Sequence, residues 1–464
     1  MKLRSLIGTK SFYRMVLAVA VPIMVQQGIT NFVSLLDNIM VGQVGTDQMS
    51  GVSIANQLMF IYNLCIFGGT SGAGIFVAQF FGSGNHRGVR SAFQFKLFVA
   101  AGVSIIALLI FGFAGPTLIT AFLHEGSETG DLQATLAYSR EYLYIMLLGI
   151  PAFALNQCYS GTLRETGETM LPMKSGITAV LVNLVCNYLL IFGKLGLPAL
   201  GASGAAVATV ISRYVELAIT VIWTHRHTDK APFIVGAWRK LDIPKALALQ
   251  IVRKGLPLLV NEFLWSGGMT LLTQCYSTRG LATIAAINIT STISNLFNVV
   301  FMSLGSAVSI IVGQKLGAGD LEDAKKTDTQ LIAFAVAVSV GIAVILSAFG
   351  PLFPRLYNTT DEVRSIATQL IWIAAALMPF HSFTHAAYFT LRSGGKTLVT
   401  FVFDSVFVCV VMVPIAFCLS RLTGLSIVPL YACCQGSEIL KCIVGFFMLK
   451  KGVWVNNIVS DVKN

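Results

Sequence analysis

The chain has 464 residues, 55% of them hydrophobic and only 11% charged, with a mean hydropathy of +0.75, whereas an ordinary soluble domain carries about 25% charged residues. That balance argues against a soluble fold. The net charge of +11 raises nucleic acid as a partner, but the basic residues fall in alternate gaps between apolar runs, which is the positive-inside pattern of a membrane protein. The lipid bilayer is therefore the expected partner, and nucleic acid is not.

In chain order, Lys2, Arg4, Lys10 and Arg14 precede a first apolar run. This start mimics a signal peptide, yet the A-x-A at Ala18-Val19-Ala20 opens the run instead of closing it, so the segment is read as a retained first helix. Apolar runs broken at Gly, Pro and charge predict helices near 14–41, 51–81, 91–120, 135–162, 170–193, 201–224, 250–276, 281–313, 328–350, 364–392, 397–420 and 425–449. Each is long enough for about 30 Å of hydrocarbon, which takes roughly 20 residues. The stretch 225–250 carries seven basic residues, histidines included, with Pro232, Trp238 and Pro244, and is read as a cytoplasmic linker. It separates an N-terminal six-helix lobe, 1–224, from a C-terminal one, 251–464. Both termini are expected in the cytoplasm, in a multi-pass protein of the cell membrane.

The two lobes are copies of each other. Pro22 aligns with Pro257, and Gln79, Gly82 and Gly84 align with Gln314, Gly317 and Gly319, all at an offset of 257 − 22 = 235. Further on, Leu163 to Thr169 aligns with Leu391 to Thr397 at 391 − 163 = 228, carrying Pro151 onto Pro379. Because each half has an even number of helices, both enter from the same side, and a pseudo-two-fold axis along the membrane normal with a central cleft follows.

Ionisable groups inside apolar runs point to function, since a charge near the bilayer centre costs about 2.5–3.5 kcal/mol even on the lenient insertion scale. Asp37 lies deep in the first helix between Leu36 and Ile39. Asn183 and Asn187 are four apart and share a helix face. In the second half Glu262, within a turn of Trp265, suits a cation through charge and ring-face attraction, and His381 and Asp404 join it as candidate substrate-binding residues. Arg213 with Glu216, and Glu438 with Lys441, are i,i+3 pairs. Two motifs are set aside. Gly394-Gly395-Lys396-Thr397 lacks the earlier glycine of a phosphate loop, position 390 being Thr. His381 and His385 lack a third ligand, so no metal is expected. The cysteines, with no C-x-x-C, are read as small buried hydrophobes.

Pro-Ile-Met-Val-Gln-Gln at Pro22, with an acid fifteen residues on at Asp37, together with Val77 to Asn85, Leu163 to Met173, the asparagine pair before Tyr188 and the Gly201 to Ser212 run, resembles the MATE (multidrug and toxic compound extrusion) family over essentially the whole chain. The resemblance implies a twelve-helix antiporter with two lobes, exporting mostly cationic organic small molecules in exchange for H⁺ or Na⁺, with no other cofactor. It makes Asp37, with Asn183 and Asn187, the cation-coupling group. The second half departs from the NorM-like pattern, with Trp at 265 and His at 381 where acids stand, so Asp37 is the better coupling candidate. The competing reading is a flippase for a lipid-linked precursor, for which mid-helix basic residues are few beyond Arg213. No enzyme is expected, and the chain is read as a monomer.

Overall fold

The computed structural model describes residues 6–123 and 132–460. Its elements are helical: α1 (Lys10–Gly42), α2 (Thr46–Gly82), α3 (His86–Leu123), α4 (Leu132–Leu147), α5 (Ile150–Glu165), α6 (Met170–Phe192), α7 (Gly201–Arg226), α8 (Lys245–Ser277), α9 (Leu281–Gly317), α10 (Leu321–Phe349) and α11 (Asp361–Ser393). Two more follow, α12 (Thr397–Leu422) and α13 (Ile427–Lys450). Ten of these are long and apolar enough to cross a membrane, and the bent pair α4 and α5 makes an eleventh span. Helix α8 does not meet that test, yet it repeats α1. Its bounds lie 235 residues beyond those of α1 at both ends, 245 − 10 and 277 − 42, and α9 matches α2 in the same way.

The repeat extends to backbone details. Asn85 Oδ1 accepts from Gly88 N at 2.8 Å, ahead of α3, and its counterpart Asp320 accepts from Asp323 N at 3.2 Å, ahead of α10. These caps satisfy amides that the first turn of a helix leaves unpaired. Gly167 and Gly395, 228 apart, end α5 and α11 at φ +91° and +70°, a left-handed conformation in which only glycine is free of strain. The phosphate-loop look-alike is thus a helix-ending turn.

Three expectations need correction. The fourth span is two helices meeting at 48°, not one. Pro151 begins α5, where its missing N–H costs nothing, whereas its counterpart Pro379 sits inside the continuous α11. Second, the helices reach past the apolar runs, α7 running to Arg226 and α8 starting at Lys245. Polar residues stop a hydropathy run without stopping a helix. Third, α12 is wound as a π-helix over Val402–Val406 and Val408–Met412, a distortion frequent at functional sites.

Along α3, Phe98, Ile105, Ile106, Leu109, Ile110 and Phe113 are exposed while Phe93, Ala100, Ser104, Ala107 and Phe111 are buried. The exposed stripe is apolar, as a helix solvated by lipid requires.

Two compact units emerge. One comprises Met1–Met24, Ala78–Gly84 and Gln250–Asn464, and is called the C-terminal unit below; the other, Val25–Val77 and Asn85–Leu249, is called the N-terminal unit. The division cuts α1 just past Pro22 and assigns the last turns of α2 to the C-terminal unit. In that unit the crossing of α2 with α9 is reciprocal. A Cβ on Gly82 would lie 1.8 Å from the Gln314 carbonyl oxygen, and one on Gly317 would lie 1.9 Å from that of Gln79. Gln79 is fully buried. Its Nε2 donates to Ser393 O at 2.9 Å and Asn456 O at 3.2 Å, and its Oε1 accepts from Ile458 N at 2.9 Å.

In the N-terminal unit the linker is docked. Gln94 Nε2 donates to Ala237 O and Lys240 O at 2.7 and 2.8 Å, while Oε1 accepts from Asp242 N at 2.9 Å. Trp238 Nε1 donates to the Tyr159 hydroxyl at 3.0 Å. The hydrogen bond from Arg87 to Asp242 holds that carboxyl below the usual carboxylate range, though so exposed a pair adds little. Gln94→Leu removes three bonds to linker backbone, and each buried group left unpaired costs about 1–3 kcal/mol. The expected result is a linker cut by trypsin, at Lys230, Arg239 or Lys240, at least about tenfold faster than in the unchanged protein, a factor equal to ~1.4 kcal/mol. Equal cleavage rates would show that Gln94 does not hold it.

Candidate functional site

Asp37 stands near the end of α1, and α6 carries Asn183 and Asn187 on one face, both buried. The structure brings all three together in the N-terminal unit. Asn187 Nδ2 donates to Asp37 Oδ1 at 2.5 Å. With its amide nitrogen turned to Asp37, Asn183 donates to both carboxylate oxygens at 3.1 Å and accepts from the Thr209 hydroxyl of α7 at 3.3 Å. That orientation is the one that satisfies the Asn183 amide. Asn187 Oδ1 is buried with no hydrogen-bond partner among the described residues, an orphan acceptor beside a carboxylate. Hard oxygen donors of this kind suit a proton or an alkali cation. Helix pitch alone placed the two asparagines together. Thr209, on the next helix, was not found from the sequence.

On α7, Arg213 Nη1 lies 3.5 Å from Glu216 Oε2, and its guanidinium sits over the Phe153 ring at 5.1 Å. The residue singled out as a mid-helix basic group is thus ion-paired.

The second-half candidates all lie in the C-terminal unit. Asp404, in the π-wound part of α12, accepts from Asn261 Nδ2 at 3.1 Å and pairs with Lys441 Nζ at 2.8 Å. Glu262, half-buried on α8, has no hydrogen bond to a described residue and feels the charges of Arg392 and Asp404. Trp265 is exposed. His381 and His385, on α11, face the charges of Glu438 and Lys441. Sequence spacing pairs Lys441 with Glu438, but Asp404 is the nearer partner, at 2.8 against 3.8 Å. Asn261, one residue before Glu262, was not singled out, although a buried amide beside an acid in an apolar run is a readable signal. Nor was Lys96, a buried lysine of α3 that pairs with Glu165 and donates to the Thr162 hydroxyl at 3.3 Å.

Against known proteins, the MatE family model matches the chain twice, over residues 22–189 and 257–418. The chain belongs to the MATE family. The two matches begin 257 − 22 = 235 residues apart, the spacing of the repeat. Among relatives of this MATE chain, a probable multidrug resistance protein NorM of Thermotoga maritima is 24% identical over 94% of the chain and 91% of its own length. The probable multidrug resistance protein YoeA of Bacillus subtilis is 26% identical over 90% and 89%. An outward-facing structure of a multidrug resistance MATE family transporter superposes with a TM-score of 0.85 at 18% identity, covering 98% of both chains. That likeness fixes the fold as the MATE arrangement of twelve membrane helices in two lobes, and the relatives mark the chain as a multi-pass membrane transporter of the multidrug efflux kind.

Proposed function

We propose that this chain is a secondary antiporter that exports amphipathic, mostly cationic organic compounds in exchange for H⁺ or Na⁺ entering at Asp37. The observation that carries the reading is the carboxylate of Asp37 held by two buried asparagine amides, with the unpartnered Asn187 oxygen beside it. A carboxylate can take a proton on one oxygen, or join the Asn187 oxygen in coordinating a cation. Opposed transport follows if the ion and the substrate favour different arrangements of the protein, because a ligand shifts an equilibrium only by its differential affinity for the two states. Substrate is assigned to the second half, with Glu262 and Trp265 as the charge and ring for an organic cation and His381 and Asp404 as the further candidates. No further cofactor is invoked.

Counterflow in proteoliposomes, with pH and Na⁺ gradients imposed separately, tests the reading. Accumulation of an organic cation driven by one of the gradients is expected; flux that neither gradient drives refutes antiport. The proposal also puts the protein in the cell membrane with both termini and the linker on the cytoplasmic side. A single cysteine at Asp47 or Glu362, in the first turns of α2 and α11, should react with an impermeant thiol reagent from outside, and one at Trp238 should not. The opposite labelling pattern would invert the topology. The same expectation at Glu128 lies outside the described residues.

A further inference from the structure

We infer that the groove between α5, α7 and the linker is a binding site for an anionic phospholipid of the surrounding bilayer, its acyl chain along α7 and its phosphate against the basic linker. The groove lies wholly in the N-terminal unit. Its volume is about 680 Å³, within the range of about 300–1,000 Å³ usual for small-molecule sites. Leu155 of α5 and Leu217, Ala218 and Val221 of α7 supply apolar walls. Ile211, Tyr214, Ala218 and Ile222 form an exposed stripe along α7, so the groove opens on the face of the helix that hydrocarbon solvates. Polar groups gather where the linker closes it. Trp238 Nε1 donates to the Tyr159 hydroxyl at 3.0 Å, His225 Nε2 lies 3.2 Å from the same oxygen, and all three residues line the groove. At the far end the Tyr214 hydroxyl is turned away, donating to Leu148 O at 3.0 Å.

Length and charge identify the occupant. From Tyr214 to His225 the lining covers 225 − 214 = 11 residues of α7, about 16 Å of helix, close to the depth of one leaflet, about 15 Å. A partner helix would cross both leaflets, whereas the groove stops part-way along α7, which continues back to Gly201. Arg226 follows His225, Arg239 and Lys240 follow Trp238, and all three are exposed. From His225 to Lys240 the chain carries four Lys or Arg and one acid, Asp229. An organic cation would meet its own sign there. Hydrocarbon is as apolar in the bilayer as in the groove, so the preference must come from the phosphate end, and a basic segment beside a membrane attracts anionic lipid in this way. Trp238 is 60% exposed, an indole with an apolar body and a tethered N–H, the chemistry that sits at head-group level. The bonds of Gln94 to the linker backbone hold it there.

Trp238 can report occupancy, because bromine on an acyl chain quenches an indole it touches. Purified protein in detergent is titrated with phosphatidylglycerol brominated on its acyl chains, and separately with phosphatidylcholine bearing the same chains. The Trp238 signal is the difference between the unchanged protein and Trp238→Phe. Half-quenching by phosphatidylglycerol is expected at a mole fraction at least about fivefold below that for phosphatidylcholine, the factor that one Lys or Arg near an anionic surface supplies. Combining Arg226→Gln, Arg239→Gln and Lys240→Gln should bring the two lipids together, and Ala218→Phe, which fills the groove from its wall, should remove quenching by both. Equal quenching of the unchanged protein by the two lipids, or quenching that survives Ala218→Phe, overturns the assignment. Glycerol phosphate, a soluble head group, should leave the lipid in place; displacement by it would make this a site for a free phosphate compound and refute the lipid. Should the triple variant fail to elute as a single species, the unchanged protein is titrated in rising salt. The preference for phosphatidylglycerol is then expected to shrink, and a preference that salt leaves intact refutes selection by charge.

Discussion

Asp37→Asn is expected to abolish gradient-driven export, leaving less than about a tenth of the original rate, a loss of at least ~1.4 kcal/mol in the driven step. The variant should nevertheless reach the membrane folded. Asparagine keeps the shape of the side chain and an oxygen for the Asn187 amide, which donates to Asp37 at 2.5 Å, and removing a buried charge relieves a desolvation cost. Thermal stability is thus expected to be unchanged or slightly higher. What asparagine loses is the second anionic oxygen, and with it the capacity to carry a proton or balance a cation. Export at the original rate under an imposed pH or Na⁺ gradient would remove Asp37 from the mechanism. Loss of export accompanied by aggregation would instead make its role structural.

The largest effect on folding is expected at the crossing of α2 and α9. A methyl group on Gly82 or Gly317 would stand within 2 Å of backbone carbonyl oxygen, at 1.8 and 1.9 Å respectively. No rotamer change relieves a clash with backbone, so the helices themselves must separate. Such overpacking costs about 1–3 kcal/mol and occasionally more, enough to remove much of a stability of roughly 5–15 kcal/mol. Gly82→Ala and Gly317→Ala should each lower the melting temperature in detergent and the yield of monodisperse protein. Gly102→Ala and Gly341→Ala are the controls, because an added Cβ meets nothing within 4 Å at either site and alanine is the better helix former. A melting curve for Gly82→Ala that superposes on that of Gly102→Ala would show that the crossing is looser than described.

Much of this architecture was legible in the sequence because an inherited duplication leaves its strictest residues in register. Pro22 with Pro257, and Gln79 and Gly82 with Gln314 and Gly317, set an offset that the helix bounds of α1, α2, α8 and α9 then reproduce residue for residue. Asp37, Asn183 and Asn187 were readable for a different reason: polar groups in hydrocarbon must find partners, and a four-residue spacing says which face they share. Partners on other helices were not readable. Helical periodicity reports neighbours along one element, so it joined Lys441 to Glu438 and missed Asp404, which lies 37 residues away and is closer. The same blindness hid Thr209 behind Asn183, and the transfer of Ala78–Gly84 to the C-terminal unit. Matching prolines did not give matching shapes either, since Pro151 starts a helix and Pro379 lies within one.

The bonds of Gln79 carry a consequence for how the protein is made. Its amide is satisfied by Ser393, Asn456 and Ile458, the last of them 379 residues downstream, and the carbonyl that seats against Gly82 belongs to Gln314. A ribosome supplies residues in order, so α2 is threaded into the membrane long before any of these partners has been synthesised. Until they are made its final turn therefore waits with a glutamine and a bare glycine face unmatched, and residues 377 and 379 positions downstream are what complete the second helix.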